Sequence, residues 1–373
     1  MTPDLQPTRE EFQKKLSEMR ALLDRHNAEG LLLRRVSSFA WATCGAASYV
    51  NIAATEGAAS LLVTREHCVL ATNNIEAPRL EQEAHLSQQG WEFRVSHWTN
   101  PLAELNKLTA EMLLIADVPF GTAKDVSADM ARLRASLTPA EGERFRHLGK
   151  SCAEAMDSTA RAIRPGMSEY EIASLLGGEA QKYGIQPIVD LVATDERIYN
   201  FRHPLPTEKT LEKYALLVLS GRRRGLVCSI SRLVHFGPIP AERQDRILAA
   251  ARVNAAFIAH TRPGRSLDEV VRAGQREYAA AGFPDEWRFH HQGGAVGYEP
   301  REFLGMPGSV DVVAVGQAYA WNPTIAGAKM EDTILVGEKS NEILTTIPNW
   351  PVISVKIDGQ DDEIQCPLAL EVD

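Results

Sequence analysis

At 373 residues, with 44% hydrophobic and 24% charged side chains, the chain is long enough for two domains that each bury a full core. Its formal charge of −9 excludes the clustered basic footprint of a nucleic-acid binder, and its apolar runs fall short of the about 18 residues that a membrane span requires. Five cysteines (Cys44, Cys68, Cys152, Cys228, Cys366), odd in number and never spaced Cys-x-x-Cys, argue against a disulfide framework and for a reducing, cytoplasmic setting.

The polar stretch Met1–Glu11 carries acids and no secretory signal. Thr8 and Glu11 form a capping box at the head of a helix predicted to His26, with Gly30 ending the helical region. The apolar runs Gly30–Leu33, Ala58–Val63, Cys68–Ala71 and Met112–Ala116 predict strands of an α/β sheet. A boundary falls near Ser136–Pro139, because Thr138-Pro139-Ala140-Glu141 combines an N-cap, a proline at the first helical position and a capping acid. A long helix is predicted from there to about Ile163. The expected division is residues 1–136, residues 137–355 and a tail over 356–373.

Within the second part the sequence repeats its punctuation. Arg164-Pro165-Gly166-Met167-Ser168-Glu169 ends one helix and caps the next, and Arg262-Pro263-Gly264-Arg265-Ser266-Leu267-Asp268-Glu269 does the same. The helices that follow are predicted to end at Gly184 and Gly282. Two copies of helix, Pro-Gly break, helix and hairpin predict a pseudo-symmetric domain, against the alternative of chance recurrence. Ala215–Ser220 and Leu226–Phe236 flank a Gly221–Gly225 loop whose Arg222-Arg223-Arg224 triplet reads as a solvated tip. Gln317–Ile325 and Lys329–Val336 flank Ala326-Gly327-Ala328 in a second hairpin.

Four ordered blocks carry a family resemblance. They are Phe201-Arg202-His203-Pro204-Leu205-Pro206-Thr207, the hairpin from Gly225 to Arg232, His291-Gln292-Gly293-Gly294-Ala295-Val296-Gly297, and Glu331-Asp332-Thr333-Ile334-Leu335-Val336. Together they resemble the creatinase, prolidase and aminopeptidase P family over nearly the whole chain. The resemblance implies a mixed α/β (α+β) fold: a creatinase-like N-terminal domain followed by a pita-bread domain. The metalloenzymes of that family hold two cations with two Asp, one His and two Glu. Those positions fall here at Val218, Ser229, Gly294, Asn322 and Glu331, and one carboxylate among neutral groups offers too few anionic or imidazole ligands for a dinuclear site. No metal and no other cofactor is therefore expected.

The chemistry then falls to side chains. His203 stands where the resemblance places the proton-transferring histidine of creatinase, between stiffening prolines; the competing reading is a loop histidine with no task. Glu302 and Glu331 are expected to shape charge at the reacting atoms. Arg301, which replaces the first residue of a His-Glu pair, is expected to anchor a substrate carboxylate, with an Arg301–Glu302 surface pair as the rival reading. Lys329 is a candidate partner for Glu331. Of the adjacent pair His290 and His291, strand alternation would send only one, such as His291, into the cleft. Trp321 and Asn322 are candidates for stacking and neutral hydrogen bonding, Ser229 for a hydroxyl contact, and Trp321 also reads as core. In creatinase-like homodimers the N-terminal domain closes over the partner's cleft, which makes Phe39 and Trp41 candidates to touch substrate. The leading expectation is a metal-independent hydrolase of a C–N bond in a small amino-acid-like, guanidino or lactam compound, in the manner of creatinase or ectoine hydrolase. The alternatives are an inactive homologue that binds a ligand, and a Xaa-Pro peptidase-type metallohydrolase with displaced ligands. The expected partners are a small-molecule substrate and a second copy of the chain, with no nucleic acid and no membrane.

Overall fold

A computed structural model describes residues 7–359 and 363–373. Residues 1–6 of the polar start and 360–362 of the tail, both read above, lie outside the described residues. The chain divides into two compact units: Met1–Ala140 with Arg224–Leu226, and Glu141–Arg223 with Val227–Asp373.

The first unit opens with α1 (Arg9–His26). Thr8 caps it by accepting the Glu11 backbone N–H, and the helix ends at Asn27 in the left-handed region, not at Gly30. Gly30 instead starts β1 (Gly30–Arg35), the strand around which a six-stranded sheet forms. Its order is β4 (Glu92–Ser96), β3 (Cys68–Asn73), β2 (Glu56–Val63), β1, β5 (Leu114–Ala116) and β6 (Lys124–Asp125). Leu31, Leu32 and Leu33 on β1 face Val63, Leu62 and Leu61 across an antiparallel pairing, and all six are buried. The helices are α2 (Val36–Ala42), α3 (Ala77–Gln82), α4 (Leu86–Gln89), α5 (Ala103–Thr109) and α6 (Ser127–Ala135).

The second unit carries the repeated punctuation. In the first half, α7 (Pro139–Ala162) is followed by α8 (Glu169–Lys182); in the second, α10 (Ala241–His260) is followed by α11 (Leu267–Ala280). Ser168 with Glu171 and Ser266 with Glu269 form full reciprocal capping boxes. The preceding Gly166 and Gly264 adopt φ 93° and 87°, and their N–H groups donate to Leu211 O at 2.8 Å and Val313 O at 2.9 Å. The same local sequence thus builds the same local geometry twice.

Each half then supplies strands. The first gives β7 (Gln186–Thr194), the short α9 (Arg197–Asn200), β8 (Tyr214–Arg223) and β9 (Leu226–Phe236). The β8–β9 turn is Arg224-Gly225, both residues at positive φ. Arg222 is not part of a solvated tip: it is buried, and its Nε donates to Gln186 Oε1 at 3.1 Å. The second half gives β10 (Gly293–Val296), β11 (Phe303–Leu304), β12 (Ala318–Trp321), β13 (Thr324–Ile325), β14 (Ala328–Lys329), β15 (Asp332–Val336) and β16 (Asn341–Ile343), with β11-β10-β12-β15-β16 in one sheet. The single hairpin expected over Gln317–Val336 is interrupted at Asn322-Pro323 and at Met330-Glu331, so it forms two short pairings instead of one. The stretch expected as a tail holds strands: β18 (Glu363–Pro367) pairs with β17 (Val352–Lys356), which ends where that stretch begins, and β19 (Leu370–Val372) runs parallel to β9.

Among the described residues no helix is long and apolar enough to cross a membrane.

Candidate active site

β9 and the segment Glu331–Thr333 meet in the middle of the second unit. Ser231 N–H donates to Glu331 O at 3.1 Å, and Ser229 and Thr333 exchange bonds at 3.0 and 2.8 Å. Beneath this seam Arg232 and Asp332 form a buried ion pair at 2.8 Å, with Thr345 Oγ1 donating to the same carboxylate oxygen. Burial pushes the Asp332 carboxyl above its ordinary range, and Arg232 pulls it back. Breaking such a pair would strand a charge in the interior, so it locks β9 to the Glu331–Thr333 segment.

Three imidazoles form a cluster. His203 Nε2 lies 2.9 Å from His290 Nε2, the rings of His290 and His291 stack at 4.5 Å, and His203 and His291 are 5.5 Å apart by ring centroids. Both adjacent histidines therefore join the group. The alternation rule failed because His290 and His291 precede β10 in irregular backbone, where side chains need not alternate. His290 is buried, whereas His203 and His291 are open to solvent. Gln292 holds this bend, since its Nε2 donates to Trp287 O and His290 O while its Oε1 accepts from Tyr278 Oη.

Hydrogen-bond logic assigns the tautomers. Thr324 Oγ1 donates to Asn322 O at 3.1 Å, so it accepts from His290 Nδ1–H at 3.3 Å. His290 Nε2 is then an acceptor, His203 Nε2–H is the donor, and His203 Nδ1 keeps its lone pair. Burial lowers the pKa of all three rings, that of His291 to about 4, and the nearby cations Lys329 and Arg301 lower them further. All three are neutral at pH 7.

A residue read from sequence only as part of a helix cap holds the His203 loop. Glu169 is fully buried and accepts from Thr194 N and Oγ1 at 2.8 and 3.0 Å, from Thr207 N and Oγ1 at 3.0 and 2.7 Å, and from Arg197. One carboxylate thus ties the end of β7 to the end of the loop. Its ordinary place at the start of a helix conceals this in the sequence.

Arg301 Nη2 donates to Glu331 Oε1 at 2.8 Å. Glu331 is therefore paired with Arg301, not with Lys329, and Arg301 is occupied by a protein carboxylate. Lys329 is 2% exposed, and burial lowers its pKa against the pull of Glu331. Glu302 does not pair with Arg301; its Oε1 closes a turn by accepting from Tyr298 N at 2.8 Å and Glu299 N at 3.2 Å.

Other expected contacts are corrected by burial. Trp321 is 0% exposed, stacked on Phe257 at 4.7 Å, with its Nε1 donating to Thr261 Oγ1, so it is core and no stacking platform. Phe39 and Trp41 are 0% and 1% exposed within the first unit and have no surface to offer a ligand. Ser229 is enclosed and its Oγ bonds Ser220 Oγ at 2.9 Å. Asn322 is buried beside the cluster, and its Oδ1 has no hydrogen-bond partner.

The residues present do not fit a dinuclear metal pair. Val218 and Ser229 are buried and neutral, and the lone carboxylate, Glu331, already holds a guanidinium. At Gly294 an added Cβ would lie 2.2 Å from Phe303 O, so the backbone of β11 leaves no room there for a histidine. The three imidazoles, with ligand nitrogens within 4.8 Å of one another, are the metal-type group found among the described residues. Lys329 and Arg301 act electrostatically on all three rings, and Arg301 is itself paired with Glu331.

Comparison with known proteins places this geometry. A Xaa-Pro dipeptidase of Lactobacillus delbrueckii subsp. lactis is 26% identical over 253 residues, covering 64% of this chain and 68% of that protein. An agropine synthesis cyclase of Rhizobium rhizogenes is 26% identical over 213 residues, covering 49% and 52%. The chain spans between about half and two thirds of the length of the curated relatives it matches. A solved Xaa-Pro dipeptidase of Bacillus anthracis superposes with a TM-score of 0.77 at 20% identity, over 90% of this chain and 98% of that one, which shows a shared pita-bread fold. The family model described as metallopeptidase family M24 matches residues 143–338, more than half of the sequence and the whole of the cluster just described, and the chain belongs to that family.

Proposed function

We propose that this M24 chain hydrolyses a C–N bond in a small amino-acid-like compound and moves the protons with side chains, not with a pair of ions. The class of bond follows the Xaa-Pro dipeptidases among its relatives and structural neighbours. The observation that carries the mechanism is the hydrogen-bonded line His203–His290–Thr324, neutral at pH 7 and exposed at its His203 end.

In this reading His203 Nδ1 takes a proton from water as the oxygen bonds to the substrate carbonyl carbon. Burial and Lys329 disfavour the imidazolium that results, so it gives the proton up readily, and Glu331 offsets them in part. The proton then passes from Nδ1 to the departing nitrogen as the C–N bond breaks. His290, fixed by Thr324, orients His203 throughout.

The test is chelator-dialysed protein assayed on Xaa-Pro dipeptides, simple N-acyl amino acids and lactams, with metal content measured on the same sample. Turnover without added metal, lost in His203→Ala, is the expected result. Turnover only with stoichiometric Mn, Co, Zn or Fe supports the metallopeptidase reading, which the names of several relatives favour, and overturns the side-chain mechanism. Full activity of His203→Ala overturns the role of that histidine.

A further inference from the structure

The charges around the histidine cluster pair off with one exception. Arg301 is matched by Glu331, and Arg202 by Glu286. Among the described residues Lys329 has no carboxylate within salt-bridge distance of Nζ, and no hydrogen bond to it is found. Burial disfavours the charged form of an amine that has no counter-ion, and an anion beside Nζ would restore it.

The fold directs this amine toward the cluster. Lys329 lies opposite Thr324 in the β13–β14 pairing, and cross-strand partners share one face of the ladder. Thr324 Oγ1 is the hydroxyl 3.3 Å from His290 Nδ1. The groups whose charges reach Lys329 are Glu331, Arg301 and Arg202, and Lys329 in turn acts on His203, His290 and His291. Two guanidinium nitrogens in the same neighbourhood, Arg301 Nε and Arg202 Nη1, are buried without an acceptor. Three cationic side chains thus offer nitrogens that no acceptor among the described residues takes up.

We propose that Lys329 is the anchor for the anionic end of the substrate, and that the substrate is a carboxylate whose –COO⁻ docks beside Nζ as the absent counter-ion. Arg301, first expected in that role, is held by Glu331 and assists through its free Nε. The inference rests on the reading of this cluster as the substrate site. It narrows the substrate class to compounds with a free carboxylate near the scissile C–N bond and disfavours uncharged lactams and amides.

Matched probes test it. N-acetyl-L-proline and N-acetyl-L-prolinamide differ in the carboxylate alone, and acetate and succinate serve as minimal anions. Calorimetric titration and thermal shift are run on the full chain, on Lys329→Met, on Lys329→Arg and on His203→Ala. The acid is expected to bind at least about tenfold more tightly than the amide. Lys329→Met is expected to lose that preference while its unliganded Tm rises, because an unpaired buried amine has been replaced by an apolar side chain. Lys329→Arg retains part of the preference, and His203→Ala retains it fully. Equal binding of acid and amide, an intact preference in Lys329→Met, or no response to any carboxylate probe overturns the proposal. Lys329-dependent binding of acids without turnover of any compound sinks the hydrolase reading and leaves the anchor standing. Turnover that is indifferent to the carboxylate and to Lys329 does the reverse.

Discussion

The two halves of the second unit share a scaffold and differ in chemistry. Ser168 and Ser266 head matching helices with the same reciprocal caps, and Gly166 and Gly264 make the same turn. Yet the first half places Val218 and Ser229 on its strands, while the second places Lys329 on β14 and His290, His291 and Glu331 beside its strands. The first half contributes reactive groups only through a loop, the one carrying His203 and tied down by Glu169. Caps and Pro-Gly breaks set where helices stop, and that requirement persists whatever the site does. A family can therefore exchange the reactive side chains without disturbing the architecture.

Several experiments break or sharpen that comparison. The largest effect is expected on activity: His290→Ala removes the orienting partner of His203 and lowers kcat by about 10²- to 10⁴-fold, with circular dichroism unchanged. An equal loss from Ser229→Ala would show that the strands of the first half carry chemistry after all. On stability, Arg232→Leu leaves Asp332 buried and unpaired and costs about 3–5 kcal/mol in urea unfolding. Gly294→Ala drives a Cβ against the Phe303 carbonyl and costs about 3 kcal/mol, which a stability curve matching that of the parent would refute.

A smaller effect depends on pH. Burial raises the Asp190 carboxyl on β7 to about 7, and its Oδ1 has no hydrogen-bond partner. The folded state thus holds the proton more tightly than the unfolded state. The contribution is fully present below the unfolded pKa and is lost as pH rises through about 7. Asp190→Asn should raise Tm at pH 8 by the equivalent of about 2 kcal/mol, a discounted figure for a partly exposed carboxyl, and change little at pH 4. The smallest effect tests the symmetry itself. Ser168→Ala and Ser266→Ala should each cost about 1 kcal/mol and add in the double variant, since the caps share no partner.

Local rules were legible in the sequence and long-range pairings were not. Thr8, Pro139, Ser168 and Ser266 marked helix starts because capping is decided within four residues. The order of the four blocks was enough for the fold. His203 and Glu331 are candidates from sequence because those blocks carry them. Arg301 was found but assigned to substrate, because nothing in the spacing of residues 301 and 331 tells that a loop folds one onto the other. Glu169 was hidden for the same reason, its partners lying 25 to 38 positions away. Trp41 and Trp321 were misjudged because an aromatic side chain looks the same in a core as at a binding surface until burial is known.

The parallel pairing of Leu370–Val372 with Val234–Phe236 bears on how the protein is handled at the bench. Shortening the chain by its last four residues would strip a neighbour from β9 and leave backbone donors and acceptors bare along an apolar strand, an invitation to intermolecular pairing.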